Sequence, residues 1–389
     1  MESFAFSGKE DSTRVNQEGL KKLQNPKVLH INTELTWRGG ERQMSLLVHG
    51  LKERGIQSYL ACQKGSVFLK HHHKDFPAVI VSFRGLSLLA ALLSLRAFCR
   101  REGIHMVDAH SGRAHGIALL LKCLLPSLKV VIHRRVDNKP KANFLSKIKY
   151  RSSLINRYIP ISDAISQVLK DYGVPEKRLT RVYSAVPKHK NLDKTACRQK
   201  LCQQLGWQEA RPIIANIAYL TEQKGHETLI RALYQAKKSG ALFYAFIAGD
   251  GPLKEACERL ASSLQLDGDL CFLGVRKDPL ELIAASDILA MPSNNEGLGT
   301  TVLDALSGKL AVAATRVGGI PEMITHGYNG FLCDVGDDLT HGAHLSTLVK
   351  EEPLRKRFGE QGYKDVEDKF SVAAMVEGNL RVYRELALL

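Results

Sequence analysis

The chain has 389 residues, 44% hydrophobic and 24% charged, an ordinary globular composition in a length too great for one core, so two domains are expected. No apolar run approaches the roughly 20 residues that a helix needs to cross a bilayer. Net charge is +15 and lopsided: residues 1–190 hold 33 Lys+Arg against 14 Asp+Glu, and residues 191–389 hold 22 against 26, so the first half is expected to face something anionic.

Residues 1–26 read as a polar lead-in. They lack a basic start followed by an apolar stretch, and are therefore not expected to be a secretory signal. Lys27–Asn32 reads as a strand, followed by the loop TWRGGERQ and a helix from Met44 that Gly55 stops. Ser58–Cys62 and Ala78–Val81 read as strands, and Leu86–Arg101 as a helix. His105–Ala109 is a strand, Ala114–Leu124 a helix and Lys129–His133 a strand. A basic stretch with few apolar anchors follows, Arg134–Arg157. Arg157–Ile161 then reads as a strand, Ser162–Tyr172 as a helix capped by Ser162, and Leu179–Tyr183 as a strand. SAVPKHKNLDK reads as a linker. The same rhythm restarts with strands at Pro212–Ala218, Ala241–Ala248, Leu270–Leu273, Ile288–Met291, Ala311–Ala314 and Gly330–Cys333. Helices at His226–Lys238, Leu253–Leu264, Pro279–Ala285 and Gly299–Ser307 alternate with them, and Val372–Leu386 is amphipathic and helical.

Strands alternating with helices predict parallel sheets wrapped on both faces. The expected organisation is therefore two doubly wound, Rossmann-like α/β domains, residues 27–190 and 191–370, facing an interdomain cleft. A C-terminal helix, 371–389, is expected to pack back across that cleft. Ligands of such sheets bind beyond the carboxyl ends of the strands. Eight scattered cysteines with no C-x-x-C pair fit reduced thiols in a cytosolic protein.

The stretch NNEGLGTTVLDAL, residues 294–306, lies at such a strand end. Pro292 blocks continuation of the strand before it. Gly297 and Gly299 let backbone approach a ligand closely, and the helix start offers free N–H groups to a phosphate. Glu296 and Asp304 add carboxylates that can each accept hydrogen bonds from a vicinal diol. Taken alone, a helix start decorated with acidic residues is common and needs no ligand.

With its continuation ALSGKLAVAATRVGGIPEMITHGYNGFL, this stretch resembles the retaining nucleotide-sugar glycosyltransferases of GT-B fold, family 4, in their E-G-(F/L)-G-x-x-x-x-E-A and G-G-x-x-E segments. Asp304 stands where that family has Glu. AYLTEQKGHETLIRAL resembles the family's G-R-L-x-x-x-K-G segment, with Ala218 and Tyr219 in place of its Gly and Arg. AGDGPLKEAC, FLGVRKDPLELIAASDILAMPS, TWRGGERQ, DAHSGRAHG and HRRVDN also match, above all in bacterial members that build lipopolysaccharide or envelope glycans. The resemblance runs from Lys27 to the C-terminus.

It implies transfer of a sugar, with retention, from a nucleotide diphosphate to a glycan or lipid-linked acceptor. Lys224 would bind the diphosphate, Glu296 the sugar hydroxyls and Asp304 the ribose, and His110 would sit beside the sugar. Backbone from Gly39, Gly40, Gly297, Leu298, Gly299, Thr300 and Thr301 would approach the donor. Arg276 reads equally as a residue framing the base and as a surface charge, and GDGP as a structural turn. The implied chemistry needs no metal or other cofactor, and His71–His73 read as a solvated run. The basic run from Arg134 to Arg157 carries eight Lys/Arg against Asp137 alone. It is expected to meet an anionic membrane surface or a phosphorylated acceptor on the cytoplasmic side. The competing readings are a nucleotide-sugar epimerase of the same fold and a basic nucleic-acid-binding protein. No nucleic-acid motif accompanies the charge, so a nucleic-acid partner is not expected.

Overall fold

The computed structural model describes residues 26–83, 87–187 and 192–387. The expected lead-in before Pro26, the Leu86 start of a helix and positions 188–191 of the linker lie outside the described residues.

Two parallel six-stranded sheets form, as the alternation of strands and helices predicts. The first has the order β3-β2-β1-β4-β5-β6, from β1 (Val28–Asn32), β2 (Ser58–Gln63), β3 (Ala78–Val81), β4 (Met106–Ala109), β5 (Lys129–Arg134) and β6 (Arg157–Pro160). The second has the order β12-β11-β10-β7-β8-β9, from β7 (Ile213–Ile217), β8 (Tyr244–Ala248), β9 (Leu270–Gly274), β10 (Ile288–Met291), β11 (Ala311–Thr315) and β12 (Phe331–Cys333). The central strands are buried along their length, as a sheet covered on both faces requires, and are mostly apolar, with His30, Asn32 and Asp108 the buried polar exceptions in β1 and β4 of the first sheet.

Some elements differ from the reading of the sequence. Gly39 and Gly40 open the helix Gly39–Glu53 instead of sitting in the loop before it. Leu179–Tyr183 is no strand. It makes one bridge, Tyr158 to Leu179, and the Thr180 and Val182 N–H groups donate to Tyr158 and Pro160, so it only shadows β6. Helices also form at Val67–His72, Phe144–Arg151, Lys194–Leu205, Asp338–Lys350 and Glu352–Lys369. No described helix is long and apolar enough to cross a membrane.

The helix Val372–Ala387 returns to the first domain. Met375, Val376, Leu380, Tyr383 and Leu386 are buried with Val28, Leu47, Leu51 and Ile159 in one cluster. Gly50 lies so close that a Cβ there would stand 2.4 Å from Val376. The two crossings between domains run side by side, since Val186 bridges Ser371. At the bottom of this packing the Tyr383 hydroxyl donates to the fully buried Asp108 carboxylate. Tyr383→Phe removes that donor from a buried charge. It is expected to lower unfolding free energy by about 1–3 kcal/mol in urea titration while leaving the circular dichroism spectrum unchanged.

Candidate active site

In each sheet the chain reverses its direction of winding between two neighbouring strands: β1 and β4 in the first, β7 and β10 in the second. The crevice beyond the carboxyl ends of such a pair is where open α/β sheets take ligands. The loops there carry His110 after β4, Lys224 after β7 and Glu296 after β10.

On the second-domain side, Lys224 Nζ donates to Glu296 Oε2 at 2.5 Å, and the Ser293 hydroxyl lies 3.4 Å from the same oxygen. Lys224 ends a short turn whose following Gly225 has φ +65; a Cβ there would meet the Pro292 carbonyl oxygen at 1.9 Å. The two loops therefore touch through backbone, and only glycine permits it. Gly299 caps the helix Thr300–Ser307 at φ +90, with Glu296 packed against it. Leu298 turns its side chain into the core, leaving only its backbone toward the crevice side of the loop. Thr301 is tied to the β7 end through the Ile217 carbonyl.

On the first-domain side, Glu41 is buried. Its carboxylate accepts from the Arg38 N–H at 3.0 Å and from the Asn32 side chain at 3.2 Å, which fixes the turn before Gly39. Gly39 faces Thr300, and a Cβ would come within 3.6 Å of its hydroxyl. Four further contacts join the rims. Arg42 forks onto both oxygens of Asp304 at 2.6 and 2.8 Å. The Ser162 hydroxyl donates to the Gly297 carbonyl at 2.8 Å. Glu322 accepts from the Asp163 and Ala164 N–H groups, so it supplies negative charge from the second domain to a helix start in the first. Gly297 abuts the Arg135 carbonyl.

His110 stands at the end of β4, and its ring is enclosed. Arg135 Nη1 lies 3.1 Å from its Nδ1, and Nε2 faces His30 Nδ1 at 3.0 Å and Asp108 Oδ2 at 3.3 Å. His133 repeats the pattern, Nε2 to Asp108 at 3.0 Å and Nδ1 toward Arg135 at 3.4 Å. Two imidazoles, each accepting from Arg135 at Nδ1 and donating from Nε2, would link a buried guanidinium to a buried carboxylate. Burial alone would push the Asp108 carboxyl up; His110 and His133 hold it well below its ordinary value. Burial holds His110 well below the usual histidine value, opposed in part by Asp108, and lowers His133 in the same way.

Arg276 stands apart from this group, forked onto Asp278 at 2.6 and 2.8 Å beside Gln204. GDGP folds as a turn beneath the Ala218–Leu220 segment, with Asp250 accepting from its neighbour Gly251. Of the three consecutive histidines, His71 and His73 are exposed. His72 is buried 3.2 Å from His49, which corrects the reading of a solvated run. His49, His72 and Asp75, and separately His30, Asp108 and His110, are close enough to share an ion among the described residues. The second group already spends its nitrogens on Arg135 and on one another.

The sequence reading passed over Arg42, Glu41 and Arg135. Arg42 lies three residues beyond Gly39, on the next turn of a helix that was expected to begin later. Arg135 was counted only as one charge of the basic run. A pairing of Arg42 with Asp304, 262 positions away, has no local signal.

Comparison with known proteins covers both domains. Residues 37–190 match the model of Glycosyltransferase Family 4, and residues 198–365 that of Glycosyl transferases group 1. Over 348 residues the chain is 26% identical to the lipopolysaccharide core biosynthesis glycosyltransferase LpsE of Rhizobium meliloti, spanning 88% of this chain and 95% of that one. It is 25% identical to an N-acetyl-alpha-D-glucosaminyl L-malate synthase of Bacillus anthracis, over 77% of this chain and 79% of the other. Anabaena Alr3699/HepE, crystallised with UDP, superposes with a TM-score of 0.80 at 20% identity, covering 93% and 100% of the two chains. The same protein with UDP-glucose superposes at 0.78.

The enclosed histidines set an acid limit to stability. His110, His115 and His133 are held below the ordinary value of 6.5 chiefly by burial, and His341 is pushed down to about 4 by the same cause. Unfolded, each would bind a proton near 6.5; folded, each binds it only at lower pH. Their contribution is therefore complete above that pH and is lost as pH falls from there toward each group's folded value, at up to about 1.4 kcal/mol per pH unit for a group. Melting temperature is expected to drop steeply from pH 7 to pH 5. A flat profile would contradict the enclosed arrangement.

Proposed function

The chain belongs to the GT-B glycosyltransferases of family 4, and on that premise we propose that it moves a sugar, with retention, from a nucleoside diphosphate to a hydroxyl of a glycan or glycolipid. The observation that carries this reading is the pairing of Lys224 with Glu296 beside the start of the helix Thr300–Ser307. A diphosphate arriving there would take Lys224 away from Glu296. The lysine and the free N–H groups of Thr300 and Thr301 would then hold phosphate oxygens. The released Glu296 carboxylate would accept hydrogen bonds from sugar hydroxyls. The crystals of HepE with UDP and with UDP-glucose support a nucleotide-sugar donor.

In the proposed step the bond from the anomeric carbon to the phosphate oxygen breaks. The acceptor oxygen bonds to the same face of that carbon, and its proton passes to the departing phosphate. Lys224 and the helix amides stabilise the charge that develops on the leaving group, work that fixed donors in a water-excluded site do well. These groups supply the positive charge, so the step calls for no metal. His110 acts by holding Arg135, whose carbonyl backs onto Gly297, and so shapes the wall beside the sugar. Asp304 would reach the ribose by parting from Arg42. Gly39 and Gly40 would bring the first domain onto the donor when the cleft shuts.

The acceptor is proposed to be an intermediate of lipopolysaccharide or another envelope glycan, met on the cytoplasmic face of the membrane. The similarity to LpsE and the basic first domain support it. Glu296→Gln is expected to lower kcat by about 10²–10³ while nucleoside diphosphate binds at least as tightly, since Lys224 no longer has a carboxylate to leave. Lys224→Met is expected to weaken that affinity at least tenfold, since it removes a charge-assisted contact of about 1.5–3 kcal/mol. The measurements are turnover on a panel of UDP-, GDP- and ADP-sugars with and without chelator, titration calorimetry, and NMR of the product's anomeric proton. Full turnover in Glu296→Gln, donor conversion without acceptor, or an inverted anomer would each refute part of the proposal.

A further inference from the structure

The segment between β5 and β6 was expected to be a basic stretch with few apolar anchors. It contains instead a helix, Phe144–Arg151, started by Asn143, whose side chain accepts from the Ser146 N–H at 2.9 Å. The face it shows to solvent is the wrong one for a soluble helix. Phe144 is 75% exposed, Leu145 76% and Ile148 53%, and Val136 in the preceding loop is 50% exposed. Phe144 and Ile148 are four apart and Leu145 and Ile148 three apart, so the three form one outward patch. Its inward anchor is Tyr150, which is buried, stacks with Tyr158, meets Tyr172 edge-on, and accepts from Arg134 at 2.8 Å. Lys149 pins the same side to the Gly112 carbonyl at 2.5 Å. Around the patch stand Lys139, Lys141, Lys147 and Arg151, all exposed.

We propose that this helix and the loop before it form a membrane-docking element, with Phe144, Leu145 and Ile148 entering the interface of a bilayer rich in anionic phospholipid. Two features point to the same occupant. The lysines match phosphate headgroups, and the three apolar side chains match the acyl boundary just beneath them. A nucleic acid would satisfy the charge and leave Leu145 and Ile148 in water. The element is also placed for function. β5 ends at Arg134, Arg135 touches Gly297 across the crevice, and Phe144 follows nine residues later. Docking there would bring the rim of the crevice to the lipid surface, which suits an acceptor carried on a lipid. That functional benefit rests on the glycolipid reading above; the docking itself does not.

The test is co-sedimentation of the full chain with vesicles of phosphatidylglycerol and phosphatidylcholine in equal parts, against vesicles of phosphatidylcholine alone. Binding is expected to the anionic vesicles and to weaken with salt. Replacing Lys139, Lys141 and Lys147 by Gln should lower it on the order of a hundredfold, roughly fivefold for each charge removed. The variant Phe144→Ser, Leu145→Ser, Ile148→Ser should lose it as well. In a third variant, Leu145→Trp, the added indole emission should shift to the blue only when anionic vesicles are present. All replaced residues are exposed, and a thermal shift with UDP checks each variant for its fold and, separately, the transferase reading. No vesicle binding by a chain that binds UDP would overturn the docking element alone. Equal binding to both vesicle types, binding that survives all three serines, or an emission of the Leu145→Trp variant unmoved by lipid would overturn it too.

Discussion

A parallel sheet delivers every strand end of one direction to the same edge, and in this chain both sheets turn that edge toward the other. That constraint places residues far apart in sequence around one crevice. Lys224 follows β7 and Glu296 follows β10, yet the two strands are neighbours and their loops touch through the Gly225 backbone. The 2.5 Å pair between them follows from this adjacency. On the proposed reading, an anion entering the crevice would compete for a lysine that already has a partner and so free a carboxylate for neutral hydroxyls. Binding of the phosphates and recognition of the sugar would then be linked in one exchange.

The two domains are held by contacts of two kinds. The C-terminal helix is bound to the first domain by buried apolar side chains and by a tyrosine on a buried carboxylate. That attachment is costly to break and lies beside the paired crossings at Val186 and Ser371. The contacts between the rims combine hydrogen bonds with apolar packing, since Ile161 and Ile165 of the first domain share a buried cluster with Leu298 and Val302 of the second. The forked Arg42–Asp304 pair is largely shielded from water, its side chains 26% and 10% exposed, and bidentate charge-assisted pairs are the stronger kind. Asp304, one methylene shorter than Glu, reaches Arg42 here, so the shorter side chain has a partner in the resting state.

Much of the scaffold was legible. Alternating apolar runs and helical periodicity gave both sheets, because parallel strands buried on two faces leave a strong signal. Ser162 read as a cap and is one; its second role, donating to Gly297, depends on the other domain and had no trace in local sequence. The same limit hid Arg42. The helix at Phe144 was missed for a different reason. Phe144, Leu145 and Ile148 do stand at helical spacing, but the helix is only eight residues long, too short for a clear period, and the lysines dominated the reading. Leu179–Tyr183 had strand composition but lies beyond the edge of β6, where only one bridge forms.

The central claim is that the diphosphate of the donor takes Lys224 from Glu296 at the start of the helix Thr300–Ser307. A crystal structure of the chain with UDP, or with whichever nucleoside diphosphate stabilises it most, tests this directly. Phosphate oxygens within hydrogen-bonding distance of Lys224 Nζ and of the Thr300 and Thr301 amides, with Glu296 turned away from the lysine, are the expected result. A diphosphate bound elsewhere while the Lys224–Glu296 pair stays intact would contradict it.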